Sequence, residues 1–167
     1  MRGAEGEPAR LRRGERGAAG VLVVLFLPCL LASLGLAIDV GVLLLVRAEM
    51  RAAADMGALA GVQDLDFELL AEGRVVIRGP EAVRDAEAWV RENLTGRAFI
   101  EPGSVVVSVS VRNLDAGARA TCPVTGRELE HPTVCVLVRA RVRPPVFTIF
   151  GPVEVEVHAD ASVVGRP

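Results

Sequence analysis

The chain has 167 residues, 51% hydrophobic and 24% charged, with a formal net charge of -2. That near-neutral balance excludes the broad basic field nucleic acid would require, and the length allows one membrane segment plus roughly one small domain. All 19 basic residues are Arg, and two His and three Cys leave few options for metal or thiol chemistry.

Residues 18–38 run for 21 positions without a charge, and after Asp39 the apolar run resumes over 40–46. A membrane span needs about 20 apolar residues. The whole 18–46 run would measure about 43 Å as a helix against a hydrocarbon core of about 30 Å, so it must tilt or let its far end emerge. Arg2, Arg10, Arg12, Arg13 and Arg16 precede the run, against Glu5, Glu7 and Glu15. Positive flanks of a first span stay in the cytoplasm. The expected organisation is a cytoplasmic Arg-rich tail over 1–17, a transmembrane helix over 18–46, its extracytoplasmic extension over 47–64 and an extracytoplasmic α+β domain over 65–167. The alternative is a removable secretory signal cut near Gly35-Leu36-Ala37, although such signals usually have apolar cores of about 7–15 residues.

Two residues stand out inside the span. Pro28 removes a backbone hydrogen bond and can kink the helix. Asp39 is a carboxylate at a depth where charge is costly; it either reaches the outer headgroup layer or pairs with another subunit. Beyond the span, Met50, Ala53, Ala54, Gly57, Ala58 and Gly61 form a small-residue stripe at three- and four-residue spacing. Such a stripe lets another helix approach closely, and packing against the chain's own β domain produces the same pattern.

The ordered run over 16–61 combines Arg16-Gly17 with small residues, an apolar stretch broken by Pro28, then Ile38-Asp39-Val40-Gly41, Ala54-Asp55 and Ala58-Leu59-Ala60-Gly61. It resembles the N-terminus of TadE/TadG-like proteins, pilin-like minor components associated with tight-adherence (Flp-type) pilus assembly. The resemblance implies a single-pass protein of the bacterial cytoplasmic membrane, with its N-terminus inside and its C-terminal domain outside. It also implies partners among membrane lipid and other pilus or secretion-system subunits, a second copy of this chain being one candidate, and no cofactor. Pilin-type processing in such families implies cleavage after a Gly, with Glu at the fifth mature position. Gly17 is the candidate cleavage residue here, but the fifth position is Leu22, so the chain looks more TadG-like than like a major pilin.

The remainder reads as a small sheet domain. Residues 62–73 form an acidic connection in which Asp64, Asp66 and Glu68 lack the Gly turn and terminal Glu of a calcium loop. Val75 and Ile77 mark a short strand over 74–78. Gly79-Pro80-Glu81 opens a helix, whose apolar face is Ala82, Val83, Ala86, Trp89, Val90 and Leu94; Trp89 is expected to anchor the core. Alternating Val then predicts three strands. The first carries Val105, Val107, Val109 and Val111, the second Val134, Val136, Val138, Ala140 and Val142, and the third Val153, Val155, Val157, Ala159, Ala161 and Val163. This is the period of a half-buried antiparallel sheet. Arg139, Arg141 and Arg143 can face Glu154, Glu156 and Asp160 across a hairpin, or simply line a solvated face. The fold class is therefore α+β: a long N-terminal transmembrane helix, then an antiparallel sheet of about four strands with one packed helix.

Cys29 lies in the span and reads as an inert small residue. Cys122 and Cys135 fall outside, where disulfides persist, and closing so short a loop contributes about 3 kcal/mol in the chain-entropy model. A disulfide is the preferred pairing. Two free thiols, or a zinc site of Cys122, His131 and Cys135 with Glu128 or Glu130, are the alternatives, but structural zinc favours tight Cys pairs and four ligands. No metal site and no catalytic set is assembled: His158 stands alone on an outward strand face, and no nucleophile triad or phosphate-binding loop is present. The connection over 144–152 is unusually apolar. Phe147, Ile149 and Phe150 there either mark a partner or membrane-surface contact or fold back onto the core.

These readings converge on a non-enzymatic pilus-assembly subunit without a small-molecule substrate. The alternative is a membrane-tethered extracytoplasmic binding module unrelated to pili. With Leu22 at the fifth position, no carboxylate is available to pair with an amine freed at Ala18, and burying an unpaired ammonium in a filament is costly. The Arg-rich tail is therefore expected to stay attached. N-terminal sequencing of protein from membranes should read through Arg16-Gly17; a start at Ala18, with recovery in sheared filaments, would overturn this.

Overall fold

The computed structural model describes residues 11–115, 117–146, 148 and 151–164, with side chains described from Gly20 onward. Helix α1 (Leu11–Val62) runs unbroken through Pro28. It is followed by the short α2 (Phe67–Ala71), then α3 (Gly79–Leu94), β1 (Val106–Arg112), β2 (Ala120–Thr121), β3 (Glu128–Leu129), β4 (Thr133–Val142) and β5 (Val153–Ser162). Strands β1, β4 and β5 form an antiparallel sheet in the order β1-β4-β5, and β2 and β3 form a separate two-stranded ribbon. The architecture is α+β, with the C-terminal half of α1 and all of α3 on one face of the three-stranded sheet.

The valine alternation sets that layering. Val134, Val136, Val138, Ala140 and Val142 of β4 are all buried, as are Val107 of β1 and Val157 and Ala159 of β5. They meet Val46, Met50, Ala53, Ala54, Ala58 and Val62 of α1, and Ala82, Ala86, Val90 and Leu94 of α3, in one core. In β-structure, side chains two apart share a face, so each strand contributes a complete apolar row.

Two expectations are corrected. Residues 74–78 do not add a fourth strand: they pair with residues 64–66, through Asp66 N–H to the Val76 carbonyl (2.9 Å) and Arg78 N–H to the Asp64 carbonyl (2.7 Å). Ile77 is held to the end of β1 by a side chain instead, since Asn113 Oδ1 accepts its N–H and Asn113 Nδ2 donates to its carbonyl, both at 2.8 Å. Trp89 is the second correction. It is 45% exposed, because the seam of α3 is built from Ala82 and Ala86 and leaves no room there for an indole.

That seam is unusually close. A Cβ added at Gly61 would meet the Ala82 carbonyl oxygen at 2.8 Å, and one at Gly57 would meet Val90 Cγ2 at 2.6 Å and the Ala86 carbonyl oxygen at 3.0 Å. The small-residue stripe of α1 thus serves its own α3 and sheet.

The outer sheet face is charged where it is open. Arg139 lies opposite Glu156, with Nε to Oε2 at 2.6 Å, and Arg141 lies opposite Glu154. Arg143 instead reaches Glu101 at 2.6 Å, and Asp160 pairs with Arg127 at 2.9 Å. Such exposed pairs contribute only about 0–1 kcal/mol each and mainly set register. Asp64 is less comfortable. Burial, helped by Asp85, holds its carboxyl above the ordinary range against the weaker pull of Arg78, and its Oδ2 has no hydrogen-bond partner among the described residues. A raised carboxyl favours the fold at acid pH, and that contribution is lost as pH rises through its folded value.

Gly61→Ala should destabilise the α+β core by about 1–3 kcal/mol, because the carbonyl it meets belongs to backbone. This runs against the gain of about 1 kcal/mol that Ala normally brings to a helix interior. Gly20→Ala, which meets nothing within 4 Å, is the matched control. Thermal or urea unfolding of the two variants measures the difference.

Candidate functional site

The candidate site is the junction where α1 leaves its apolar stretch and meets the rest of the chain. From Gly20 to Leu34 every residue of α1 is exposed. Its most apolar 18-residue window is only 6% buried. A soluble core helix of that composition would be covered by protein; this one is long and apolar enough to cross a membrane. At Pro28 the missing N–H is tolerated within an intact helix, and one turn on the Ser33 hydroxyl donates to the Cys29 carbonyl at 2.8 Å, a local bond that needs no water. Cys29 itself is exposed and free. Gly17 lies within α1.

Burial begins at Gly35 and Asp39 and continues on the same face through Val46, Met50, Ala53 and Ala54. Asp39 is only 4% exposed. It accepts the backbone N–H of Val146 at 2.9 Å, across 107 residues of sequence. Asp39 therefore faces the chain's own 144–146 segment. Asp39 lies about 28 Å along the helix axis from Gly20, so this bond joins the head to α1 well before the apolar run ends at Val46.

The segment that reaches Asp39 is strapped to the sheet. Arg143 N–H donates to the Phe99 carbonyl at 2.8 Å and Glu101 N–H to the Arg141 carbonyl at 2.8 Å, with an isolated bridge between Ile100 and Val142. Phe99 adopts a φ of 67°, a left-handed conformation rare for a bulky residue. On the other side of the strap, Arg97 comes within 4.0 Å of Glu49 on α1. Residues 95–104, 143–146 and the start of β5 thus form the end of the head nearest the apolar stretch. Phe147, Ile149 and Phe150 lie outside the described residues.

The opposite face of the sheet carries a second, smaller core. Cys122 and Cys135 are joined by a disulfide, with Cα atoms 6.5 Å apart. With Leu129 they are buried under the β2–β3 ribbon, and Leu114 and Val124 pack beside them. Thr133 and Cys135 are buried on this face as Val134 and Val136 are on the other, so the start of β4 is buried on both faces. Gly126, at φ 69°, allows the turn that returns the Arg127 carbonyl to Cys122 N–H at 2.9 Å. His131 and His158 are both exposed. No group of three or more His, Cys, Asp or Glu suited to a metal is found among the described residues.

Sequence reading did not identify Val146 or Asn113 as partners, since each bond closes over a long separation and leaves no local pattern. The burial of Gly35 did have a signal: Gly35, Asp39, Leu43 and Val46 fall at three- and four-residue spacing.

A long exposed apolar helix whose second half becomes one layer of an α+β head defines a class of α+β protein with one helix long and apolar enough to cross a membrane. Within that class, residues 17–64 match the family described as "Putative Flp pilus-assembly TadE/G-like". Over that stretch the chain is similar to TadE/TadG-like proteins, and the stretch takes in the described exposed part of α1, the Asp39 junction and the Gly57/Gly61 seam, ending two residues beyond α1. No curated protein and no solved structure matches the chain.

Asp39→Ala removes an acceptor and leaves the Val146 N–H in want of one. A hydrogen bond to a charged group contributes about 1.5–3 kcal/mol, so exchange of the Val146 amide should accelerate at least tenfold. Asp39→Asn keeps an acceptor oxygen and should change it far less. Hydrogen–deuterium exchange on full-length protein in detergent measures both.

Proposed function

We propose that this chain is a non-enzymatic minor subunit or assembly factor of a Flp/Tad-type pilus or secretion system. In this reading it is held in the bacterial cytoplasmic membrane by α1, with its N-terminus inside and its head outside. The observation that carries the reading is the coincidence of the matched region, residues 17–64, with a helix exposed and apolar over Gly20–Leu34 and packed into the head in its second half. One half is available to lipid or to neighbouring helices of an assembly. The other fixes the head relative to it, so that a movement of the helix is transmitted to the head.

The partners in this reading are membrane lipid and other subunits of the assembly, including further copies of this chain. The flanking Arg residues 2, 10, 12, 13 and 16 support the orientation by the positive-inside rule. A photo-crosslinking residue at Leu31, exposed on α1, should capture components of a pilus or secretion apparatus in intact cells. The same residue at Ser162, exposed at the far end of β5, should capture a different set or none. Capture restricted to proteins unrelated to such an apparatus, or labelling of residues 2–16 from outside the cell, would overturn the reading.

A further inference from the structure

We propose that the lower end of the head, carrying Val146 and Phe99, is immersed in the outer leaflet of the membrane, so that the hydrocarbon boundary on α1 lies near Arg47 and not at Asp39. This rests on the membrane-anchored reading given above and adds where the head sits in the bilayer.

Two observations together support it. The first is the side of α1 turned away from the head. Beyond Asp39 it remains apolar and open: Val40 is 45% exposed, Leu44 62% and Leu45 56%. The first charged residue after Asp39 is Arg47, also exposed. A boundary at Asp39 would leave this apolar face in water for two turns; a boundary at Arg47 covers it with lipid, continuous with the rest of the span. The second observation is the Asp39–Val146 bond. It brings the head's backbone down to residue 39, eight residues and about 12 Å below Arg47 along the helix. If lipid reaches Arg47 on the open face, Val146 lies below that level.

The chemistry of this end of the head suits an interface. Phe99 is 41% exposed and Val146 46%, and Val153 is exposed as well. Arg97 and Arg143 stand beside them, each with its side chain at least half exposed. An aromatic and aliphatic tip with Arg at its rim places apolar groups among acyl chains and guanidinium groups among headgroups. Asp39 is consistent with this depth, because a carboxylate below the headgroups must be met by protein, and the Val146 N–H meets it.

The test uses full-length protein in a Cys29→Ser background, with the Cys122–Cys135 disulfide left oxidised, reconstituted in vesicles of phosphatidylethanolamine and phosphatidylglycerol at low protein density. Nitroxides are placed singly at Leu34→Cys, Leu44→Cys, Val146→Cys and Ser162→Cys; Leu34, exposed on α1, lies inside a hydrocarbon core of about 30 Å whether the boundary is at Asp39 or at Arg47. Their collision rates with oxygen, which concentrates in lipid, and with a water-soluble nickel chelate are then compared. The oxygen-to-nickel ratio is expected to be several-fold higher at Leu44 and Val146 than at Ser162, and highest at Leu34. A lipid-like ratio at Leu34 with water-like ratios at Leu44 and Val146 overturns the inference while leaving the anchor intact. A water-like ratio at Leu34 overturns the anchored reading itself. Low access to both reagents at Leu44, with spin–spin broadening, overturns the inference in favour of contact between copies of the chain.

Discussion

Helix α1 has to satisfy two surroundings with one continuous set of backbone bonds. From Gly20 to Leu34 no described residue covers it, so apolar side chains point outward all round, the pattern expected of a helix solvated by lipid. Over its second half only one stripe is buried, and residues such as Arg47, Arg51 and Met56 stay exposed on the other side. The transition is gradual. Burial starts on one face at Gly35 while the other face remains apolar to Leu45. The rest of the architecture follows from this overlap: the head is built around the emerging helix and extends back along it as far as Asp39.

A small head with no Tyr, one Trp and four Phe, the fifth being Phe26 of α1, must gain its stability from close packing of small groups. Glycine and alanine bring α1 and α3 near enough for backbone atoms to touch side chains across the seam, where dispersion is collected from many short contacts. The same choice explains the outward position of Trp89. It also explains why β4, the central strand, is nearly all valine on its inner face, since γ-branched or aromatic side chains would push the helices away. The disulfide adds a constraint on the other face, where the β2–β3 ribbon has only two residues per strand and cannot hold itself in place by ladder bonds alone.

The layering was legible because it rests on period. Three alternating valine rows and a helix with Ala82, Ala86, Val90 and Leu94 on one side lead to the α+β arrangement without further information. What was not legible rests on distance or on size. Ile77 looked like part of a strand because its neighbours alternate, but its bonds go to residues 64–66 and to Asn113, and no local pattern announces a side chain standing in for a strand. Trp89 looked like an anchor by hydrophobicity alone, and steric room at a glycine–alanine seam decided otherwise. Asp39 was conspicuous as a charge in an apolar run. Its chemistry was readable, but its bond to the backbone N–H of Val146 was not, since any residue except proline can offer one.

The two parts of the chain are constrained differently. Along α1 the fit rests on particular atoms: a carboxylate that accepts the Val146 N–H, and two glycines whose missing Cβ atoms set the distance to α3. The head asks for less, since an alternating apolar row of the right volume can be written in many ways and its loops are free to differ. A change at residue 39, 57 or 61 therefore reaches the docking of helix and head directly, whereas an apolar exchange of equal volume along the sheet leaves it in place. In that sense the junction is the part of the molecule that defines what the head must be.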